Sequence, residues 1–205
     1  MRVKICGITN IEDAEHCVSL GVDALGFNFY KESPRYIEPN KTQEITHFLP
    51  PFVSTVGVFV NTDADDINKI SEQCNLDYVQ LHGDESPNDC LKIKAKVIKA
   101  LRIENEDDIQ SISQFQGLAT SLLLDTKSES AYGGTGKVFD WGIALKAKDY
   151  DMPVILSGGL NAENIARAIG FVNPYAVDIC SGIESSPGIK DYNKLEELLS
   201  VIRKL

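Results

Sequence analysis

The chain has 205 residues, of which 43% are hydrophobic, and a formal net charge of -10 at pH 7. This length and apolar content are enough for one large core, and an acidic chain without a run of Lys and Arg is not expected to bind nucleic acid. The five cysteines show no metal-binding or redox spacing, which favours free thiols in a reducing cytoplasm. No apolar run approaches the roughly 18 residues of a membrane span, and the N-terminus lacks the apolar region of a signal peptide. We therefore expect a cytoplasmic protein with no membrane partner.

Strand-like and helix-like segments alternate along the chain with a period of roughly 25 residues, as a βα repeat requires. The predicted strands are residues 3–6, 24–29, 54–60, 78–81, 97–101, 122–125, 153–157 and 175–179. Helices are predicted between them, with Asn10, Asp140 and Asn161 as N-caps, and one at residues 106–115. Eight units predict an α/β protein, a single-domain (β/α)8 TIM barrel over residues 1–205. An open doubly wound sheet is the alternative, because the strand at 97–101 is weakly indicated.

The strand at residues 122–125 has three leucines in a row, typical of a strand buried on both faces. It ends on Asp125, and a polar loop with Gly133, Gly134 and Gly136 follows. A carboxylate at the carboxyl end of a barrel strand lies where such enzymes keep their chemistry. We expect Asp125 to act in catalysis and the glycine loop to be a lid. The alternative is that Asp125 only makes turn hydrogen bonds.

Polar or ionisable side chains stand at or just after the carboxyl end of most predicted strands. A barrel directs these ends into one mouth. They are Cys6, Asn28, Asn61, Gln80 with His82, Arg102, Asp125, Ser157, and Asp178 with Ser181. Cys6 as a thiolate can abstract a proton and Asp125 as a carboxylic acid can donate one. The alternative for Cys6 is a small apolar core residue.

Two glycine turns, at residues 157–159 and 181–182, follow the seventh and eighth strands. Gly158, Gly159 and Gly182 let the backbone come close to a ligand, and turns in these positions commonly bind phosphate through backbone N–H groups. Ser181 belongs to the second turn. Ordinary βα turns are the alternative.

Four further side chains have open roles. Arg35 in the long second loop offers a planar fork for a carboxylate, or is a solvated charge. His82 is a second ligand or base, or a hydrogen-bonded residue at a loop end. Lys4 and Lys99 could form a Schiff base, and strand alternation leaves their direction unresolved. The three histidines show no metal-binding spacing.

Nine motifs occur in order within the stretch from Arg2 to about Lys190. They are KICGIT (4–9), GFNF (26–29), SPRYI (33–37), VGVFVN (56–61), VQLHG (79–83), LLDT (123–126), GGTGKVFDW (133–141), LSGGL (156–160) and DICSGIE (178–184). Together they resemble the phosphoribosylanthranilate isomerase family of tryptophan biosynthesis. That family usually has two serines before the last glycine, and here the first is Cys180. The difference bears on a hydroxyl contact to the phosphate and leaves the backbone donors in place.

The resemblance implies an Amadori rearrangement of N-(5-phosphoribosyl)anthranilate. By family likeness Asp125 protonates the ring oxygen, Cys6 removes the C2 proton, and Arg35 receives the anthranilate carboxylate. The two glycine turns receive the phosphate, with His82 and Asp178 as further substrate-binding candidates. The mechanism requires a protonated Asp125 and an ionised Cys6. We expect no cofactor and no metal, a small phosphorylated substrate as partner, and a monomer. There are two alternatives. One is another phosphosugar barrel enzyme that uses metal or lysine chemistry. The other is a catalytically silent barrel that only binds a phosphorylated metabolite.

Overall fold

A computed structural model describes residues 1–126 and 140–205. The predicted lid glycines Gly133, Gly134 and Gly136 lie outside the described residues. Within these residues no helix is long and apolar enough to cross a membrane.

Eight parallel strands close into a barrel in which each strand pairs with the next and the last pairs with the first. They are β1 Arg2–Cys6, β2 Ala24–Asn28, β3 Ser54–Phe59, β4 Tyr78–Leu81, β5 Lys96–Ile103, β6 Ser121–Thr126, β7 Val154–Leu156 and β8 Ala176–Ile179. The weakly indicated strand is β5, which is eight residues long and pairs on both sides. The closed order rules out the open sheet and confirms the single-domain (β/α)8 barrel.

Helices lie between the strands at the predicted places, with one difference of type. The α-helices are α1 Ile11–Ser19, α2 Pro39–Phe48, α3 Ala64–Gln73, α4 Pro87–Cys90, α5 Trp141–Ala147, α6 Ile165–Val172 and α7 Tyr192–Arg203. Shorter 3-10 segments are Lys148–Tyr150 and Ser181–Ile183. The predicted helix Glu106–Phe115 is also a 3-10 helix. Its buried residues Ile109, Ile112 and Phe115 are three apart, and three residues per turn places them on one line facing the core.

Two of the three predicted N-caps are confirmed. Asn10 accepts a hydrogen bond from the N–H of Asp13, and Asp140 accepts one from Gly142. The prediction for Asn161 is wrong, because α6 begins later, with Asn164 as its N-cap. The Asn161 side chain instead accepts from the N–H groups of Glu163 and Asn164, so it caps the turn that precedes the helix.

Strand alternation sorts side chains between the barrel interior and the outer shell. The interior holds a small apolar cluster, and the outer shell under the helices holds the larger core. The interior cluster is Val56, Ile98, Ala100, Leu123, Ile155 and Ala176. On β6, Leu122 and Leu124 belong to the outer core and Leu123 to the interior. Asp125, two residues after Leu123, therefore faces inward at the mouth.

A short antiparallel hairpin follows β8 and was not predicted. Its strands are β9 Glu184–Ser186 and β10 Ile189–Lys190. Gly188 in its turn has φ +84°, which suits glycine. The hairpin is fixed beside the barrel, because Thr9 donates from Oγ1 to the Gly188 carbonyl at 2.5 Å and Lys190 donates its N–H to Asp13 at 2.9 Å.

Candidate active site

Cys6 ends β1 and lies among charged side chains. Lys4, two residues earlier on the same face, forms a buried ion pair with Asp178 at 2.9 Å between Nζ and Oδ1. Lys190 donates from Nζ to the Cys6 carbonyl at 2.6 Å and to Glu184 at 3.0 Å. The strand end thus lies between two ammonium groups from opposite ends of the chain.

The Cys6 thiol is acidic for a cysteine. The neighbouring Cys180 side chain holds the pKa of Cys6 well below its ordinary value, aided by the charges of Lys4 and Lys190 and opposed by burial. The core cysteines behave in the opposite way, because burial raises the pKa of Cys17 to about 12 and that of Cys74 to about 11. Cys6 is therefore an ionisable thiol at the mouth, and the reading of Cys6 as an apolar core residue does not fit these surroundings.

Arg35 is already engaged by a carboxylate of the protein. Its Nε donates to both oxygens of Glu184 at 3.0 and 3.1 Å, and Nη2 donates to Oε2 at 2.6 Å. Its side chain is 11% exposed, so it is not a solvated loop charge. Among the described residues Nη1 has no hydrogen-bond partner, which leaves one edge of the guanidinium for a ligand.

Asp125 uses its two oxygens differently. Oδ1 accepts from the N–H of Thr126 at 2.8 Å, which is the turn contact that the sequence left open as an alternative. Oδ2 lies 3.3 Å from Nε2 of His82. The residue is 4% exposed, so one buried oxygen remains directed toward the mouth.

His82 stands between Asp125 and Gln80. Its Nδ1 is 2.7 Å from Nε2 of Gln80. If the Gln80 amide donates there, Nδ1 is the acceptor and Nε2 carries the ring hydrogen. Within residues 1–126 and 140–205 Oε1 of Gln80 has no hydrogen-bond partner, and Nε2 of His82 has only the 3.3 Å contact with Oδ2 of Asp125, which is not aligned as a hydrogen bond. Buried polar atoms rarely stay unpaired, so these two atoms indicate a place for a polar ligand group.

The two glycine turns lie against each other and against the acid. Gly158 and Gly159 have φ +87° and +63°. A Cβ on Gly158 would overlap Oγ1 of Thr126, and one on Gly182 would overlap the Leu160 carbonyl. In the described part of the chain the N–H groups of these three glycines donate to no other group. They are therefore available to an anion, and the phosphate site stays a prediction.

The other candidates fall in different places. Ser181 opens the second turn and is partly exposed. Asp178 lies below the mouth in the ion pair with Lys4, and burial raises its pKa to about 7 in spite of that ammonium group. Lys99 faces outward, bound to Glu85 at 2.7 Å and to the Gly83 carbonyl at 2.8 Å.

Neither lysine is poised for a Schiff base. Burial would lower the pKa of Lys4, but Asp178 and Cys6 together raise it above its ordinary value, so Lys4 stays an ammonium group. A nucleophilic lysine needs the reverse shift, and Lys99 lies outside the barrel interior. Among the residues that the structure describes, no group of His, Cys, Asp and Glu is arranged to hold a metal ion.

Sequence reasoning missed the roles of Glu184 and Lys190. Both come from the hairpin after β8, and Glu184 appeared only inside a motif. The dipeptide Pro187-Gly188 was the available signal, because it marks a tight turn between two short strands.

Comparisons with known proteins agree on one family. The family model described as N-(5'phosphoribosyl)anthranilate (PRA) isomerase matches residues 3–201. The N-(5'-phosphoribosyl)anthranilate isomerase of Trichlorobacter lovleyi is 49% identical over 199 residues, covering 97% of this chain and 96% of that protein. The crystal structure of phosphoribosyl anthranilate isomerase from Thermotoga maritima is 43% identical with a TM-score of 0.93, covering 100% of both chains. A phosphoribosyl anthranilate isomerase in complex with reduced 1-(o-carboxyphenylamino)-1-deoxyribulose 5-phosphate is 42% identical with a TM-score of 0.90, again covering 100% of both.

Proposed function

This chain belongs to the N-(5'-phosphoribosyl)anthranilate isomerase family, and from that premise we propose how its mouth carries out the reaction. The reaction is the conversion of N-(5-phosphoribosyl)anthranilate to 1-(2-carboxyphenylamino)-1-deoxyribulose 5-phosphate, an aldose–ketose isomerisation in tryptophan biosynthesis. It needs one acid, one base, and separate binding sites for a phosphate and a carboxylate.

Asp125 is the acid in this proposal. It gives its proton to the ribose ring oxygen while the anthranilate nitrogen forms an iminium with C1, so that the oxygen leaves as a hydroxyl group. The inward oxygen Oδ2 and the 4% exposure of the residue support this role. With Gln80 donating to Nδ1, His82 directs its Nε2 hydrogen toward the same place and helps to orient the acid or the ring oxygen.

Cys6 is the base. Its thiolate removes the proton from C2, and the electron pair moves into the iminium to give an enolamine, which tautomerises to the ketone. The iminium takes up the electrons, so these steps call for no cofactor. The ammonium groups of Lys4 and Lys190 support the ionised sulfur that this step requires.

Two groups hold the ends of the substrate. The glycine turns at 157–159 and 181–182 offer unpaired N–H groups for the phosphate, and Ser181 lies in the second turn. The free edge of Arg35 receives the anthranilate carboxylate beside Glu184. Asp178 acts indirectly, by fixing Lys4 under Cys6. Cationic and N–H donors collect an anionic substrate locally although the chain as a whole is acidic.

The single observation that carries the proposal is the acidic Cys6 thiol in the same mouth as the buried Asp125. The test is to add the purified chain to N-(5-phosphoribosyl)anthranilate and follow the disappearance of the anthranilate fluorescence. Turnover that survives a chelator and borohydride treatment is expected. Binding without turnover would support the silent barrel, and loss of activity with either reagent would support metal or lysine chemistry.

The assembly state is proposed as monomeric, with no partner beyond the small phosphorylated substrate, and the location as cytoplasmic. All five cysteines are free, which supports a reducing compartment. One relative from Thermotoga maritima is described as dimeric, and Phe52 is fully exposed on this chain. Sedimentation of the purified chain decides between one and two copies.

A further inference from the structure

Cys6 and Cys180 are neighbours across the seam where the first and last strands meet. The β1–β8 ladder pairs Lys4 with Asp178 and ends with Ile5 and Ile179, so Cys6 and Cys180 stand one residue beyond its last pair. Residues opposite each other in a ladder point to the same face, and Lys4 and Asp178 show this in their 2.9 Å contact. The two thiols therefore lie side by side at the mouth, one layer above that ion pair.

Packing against glycines fixes both sulfurs. A Cβ on Gly26 would stand 2.8 Å from Sγ of Cys6, and a Cβ on Gly7 would stand 3.2 Å from Sγ of Cys180. The other polar contact of the Cys180 thiol is to Oε1 of Glu184, at 3.9 Å. That is long even for sulfur, and Glu184 is already bound by Arg35 and Lys190. Glu184 therefore does not hold the Cys180 hydrogen firmly, which leaves that hydrogen free to point toward Cys6.

The surrounding charges decide which sulfur keeps the proton. Contact with Cys6 and burial raise the pKa of Cys180 well above its ordinary value, whereas the pKa of Cys6 is lowered. Lys4 and Lys190 favour an ionised Cys6. Lys190 and Arg35 act on Cys180 as well, but its sulfur lies 3.9 Å from the Glu184 carboxylate, which disfavours a negative charge there. The titratable and charged groups that face the pair are Lys4 on β1, Arg35 after β2, Asp178 on β8, Glu184 on β9 and Lys190 on β10. Asp125 on β6 faces Asp178.

We propose that Cys180 is a positioning residue whose S–H donates to the Cys6 sulfur, holding it as a thiolate and restricting its direction. This inference rests on the proposed role of Cys6 as the base. Cys180 acts on the substrate only through Cys6 in this scheme. A hydroxyl at the same position can donate in the same way, so serine is the conservative replacement.

The test compares Cys180→Ala with Cys180→Ser by measuring the rate of Cys6 alkylation by iodoacetamide from pH 5 to 10, with the labelled peptide identified by mass spectrometry. Only the thiolate reacts. In Cys180→Ala the midpoint of the rate profile is expected to move up by about one pH unit, a roughly tenfold slower reaction below it. Cys180→Ser is expected to restore most of the shift, and the acidic limb of kcat/KM is expected to follow the alkylation midpoint. Cys90→Ala, a buried cysteine outside the mouth, serves as the matched control and should leave the midpoint unchanged.

An unchanged midpoint in Cys180→Ala would overturn the proposal, and so would an equal shift in the alanine and serine variants, because packing would then explain it. If the alanine variant does not fold, Cys180→Val fills the volume without a donor and is expected to show the same upward shift. Alkylation does not require turnover. A shifted midpoint in a chain without isomerase activity would therefore refute the proposed function and leave this inference standing.

Discussion

The two sides of the barrel mouth differ in the side chains that surround the acid and the base. The base side, defined as Cys6 with Lys4, Asp178, Cys180, Glu184 and Lys190, is crowded with charges and draws on both ends of the chain. The acid side, defined as Asp125 with Thr126, His82 and Gln80, uses neighbours from two strands. Arg102 is paired with Asp125 in the β5–β6 ladder but forms an ion pair with Asp84. The contrast follows from the chemistry, because a thiol must be helped to lose its proton, whereas a carboxyl group that donates one must be kept from strong cationic partners.

The largest effect is expected from removing the base. Cys6→Ser keeps the shape, but a hydroxyl in the same surroundings does not ionise near neutral pH, so kcat should fall by about 10²–10⁴. Affinity for a product analogue should be nearly unchanged. Steady-state kinetics with calorimetric binding of the analogue measures both, and near-normal turnover would return Cys6 to a packing role.

The acid side is broken by Asp125→Asn, which removes the transferable proton. We expect a loss of about 10²-fold or more in kcat, with kcat/KM falling equally, because the contact is made only in the transition state. Product release can hide this in steady state, so single-turnover rates are the measurement. A wild-type single-turnover rate would mean that Asp125 only supports the turn through Thr126.

Arg35→Ala tests the hold on the carboxylate. A charged hydrogen bond is worth about 1.5–3 kcal/mol, which corresponds to a roughly 10- to 150-fold rise in KM with a smaller change in kcat. A substrate analogue without the carboxylate is the control and should be nearly indifferent to the substitution. Equal losses for both substrates would show that Arg35 acts mainly through Glu184.

The smallest effect on activity is expected from substituting a lysine, and Lys190 and Lys99 should give contrasting results. Lys190→Met removes a cation from Cys6 and should raise the thiol pKa, so kcat/KM at pH 7 should fall about tenfold and recover as pH rises through the new pKa. Lys99→Met is the matched variant. It leaves the buried Glu85 carboxylate without its ion-pair partner, bound only by the N–H groups of Asn61 and Gly83. The loss should cost about 3–5 kcal/mol of unfolding free energy, with the alkylation midpoint of Cys6 unchanged. pH-rate profiles and urea melts separate the two results. A shifted alkylation midpoint in Lys99→Met would contradict the prediction that only the lysine near Cys6 affects its pKa.

The sequence predicted the acid more fully than the base. Leucine alternation on β6 is enough to direct Asp125 into the mouth, and its partner His82 lies at the end of another predicted strand. The direction of Lys4 and Lys99 could not be predicted, because period-two alternation does not say which face is the interior. The roles of Glu184 and Lys190 could not be predicted for another reason. Their contacts with Arg35 and Cys6 span 149 and 184 residues, and no local pattern reports a contact of that separation.

The surroundings of Cys6 are completed only when β8 pairs with β1, so the reactivity of Cys6 reports when that pairing forms during folding. The contacts that surround Cys6 join residues 174 to 184 positions apart, and contacts of such separation are formed only after a costly loop closure. A chain that has built β1 to β7 but has not yet added β8 and the hairpin lacks Asp178, Cys180 and Lys190, and its Cys6 is an ordinary thiol. Rapid alkylation of Cys6 during refolding, or during synthesis on the ribosome, should therefore appear at the moment when the last strand meets the first.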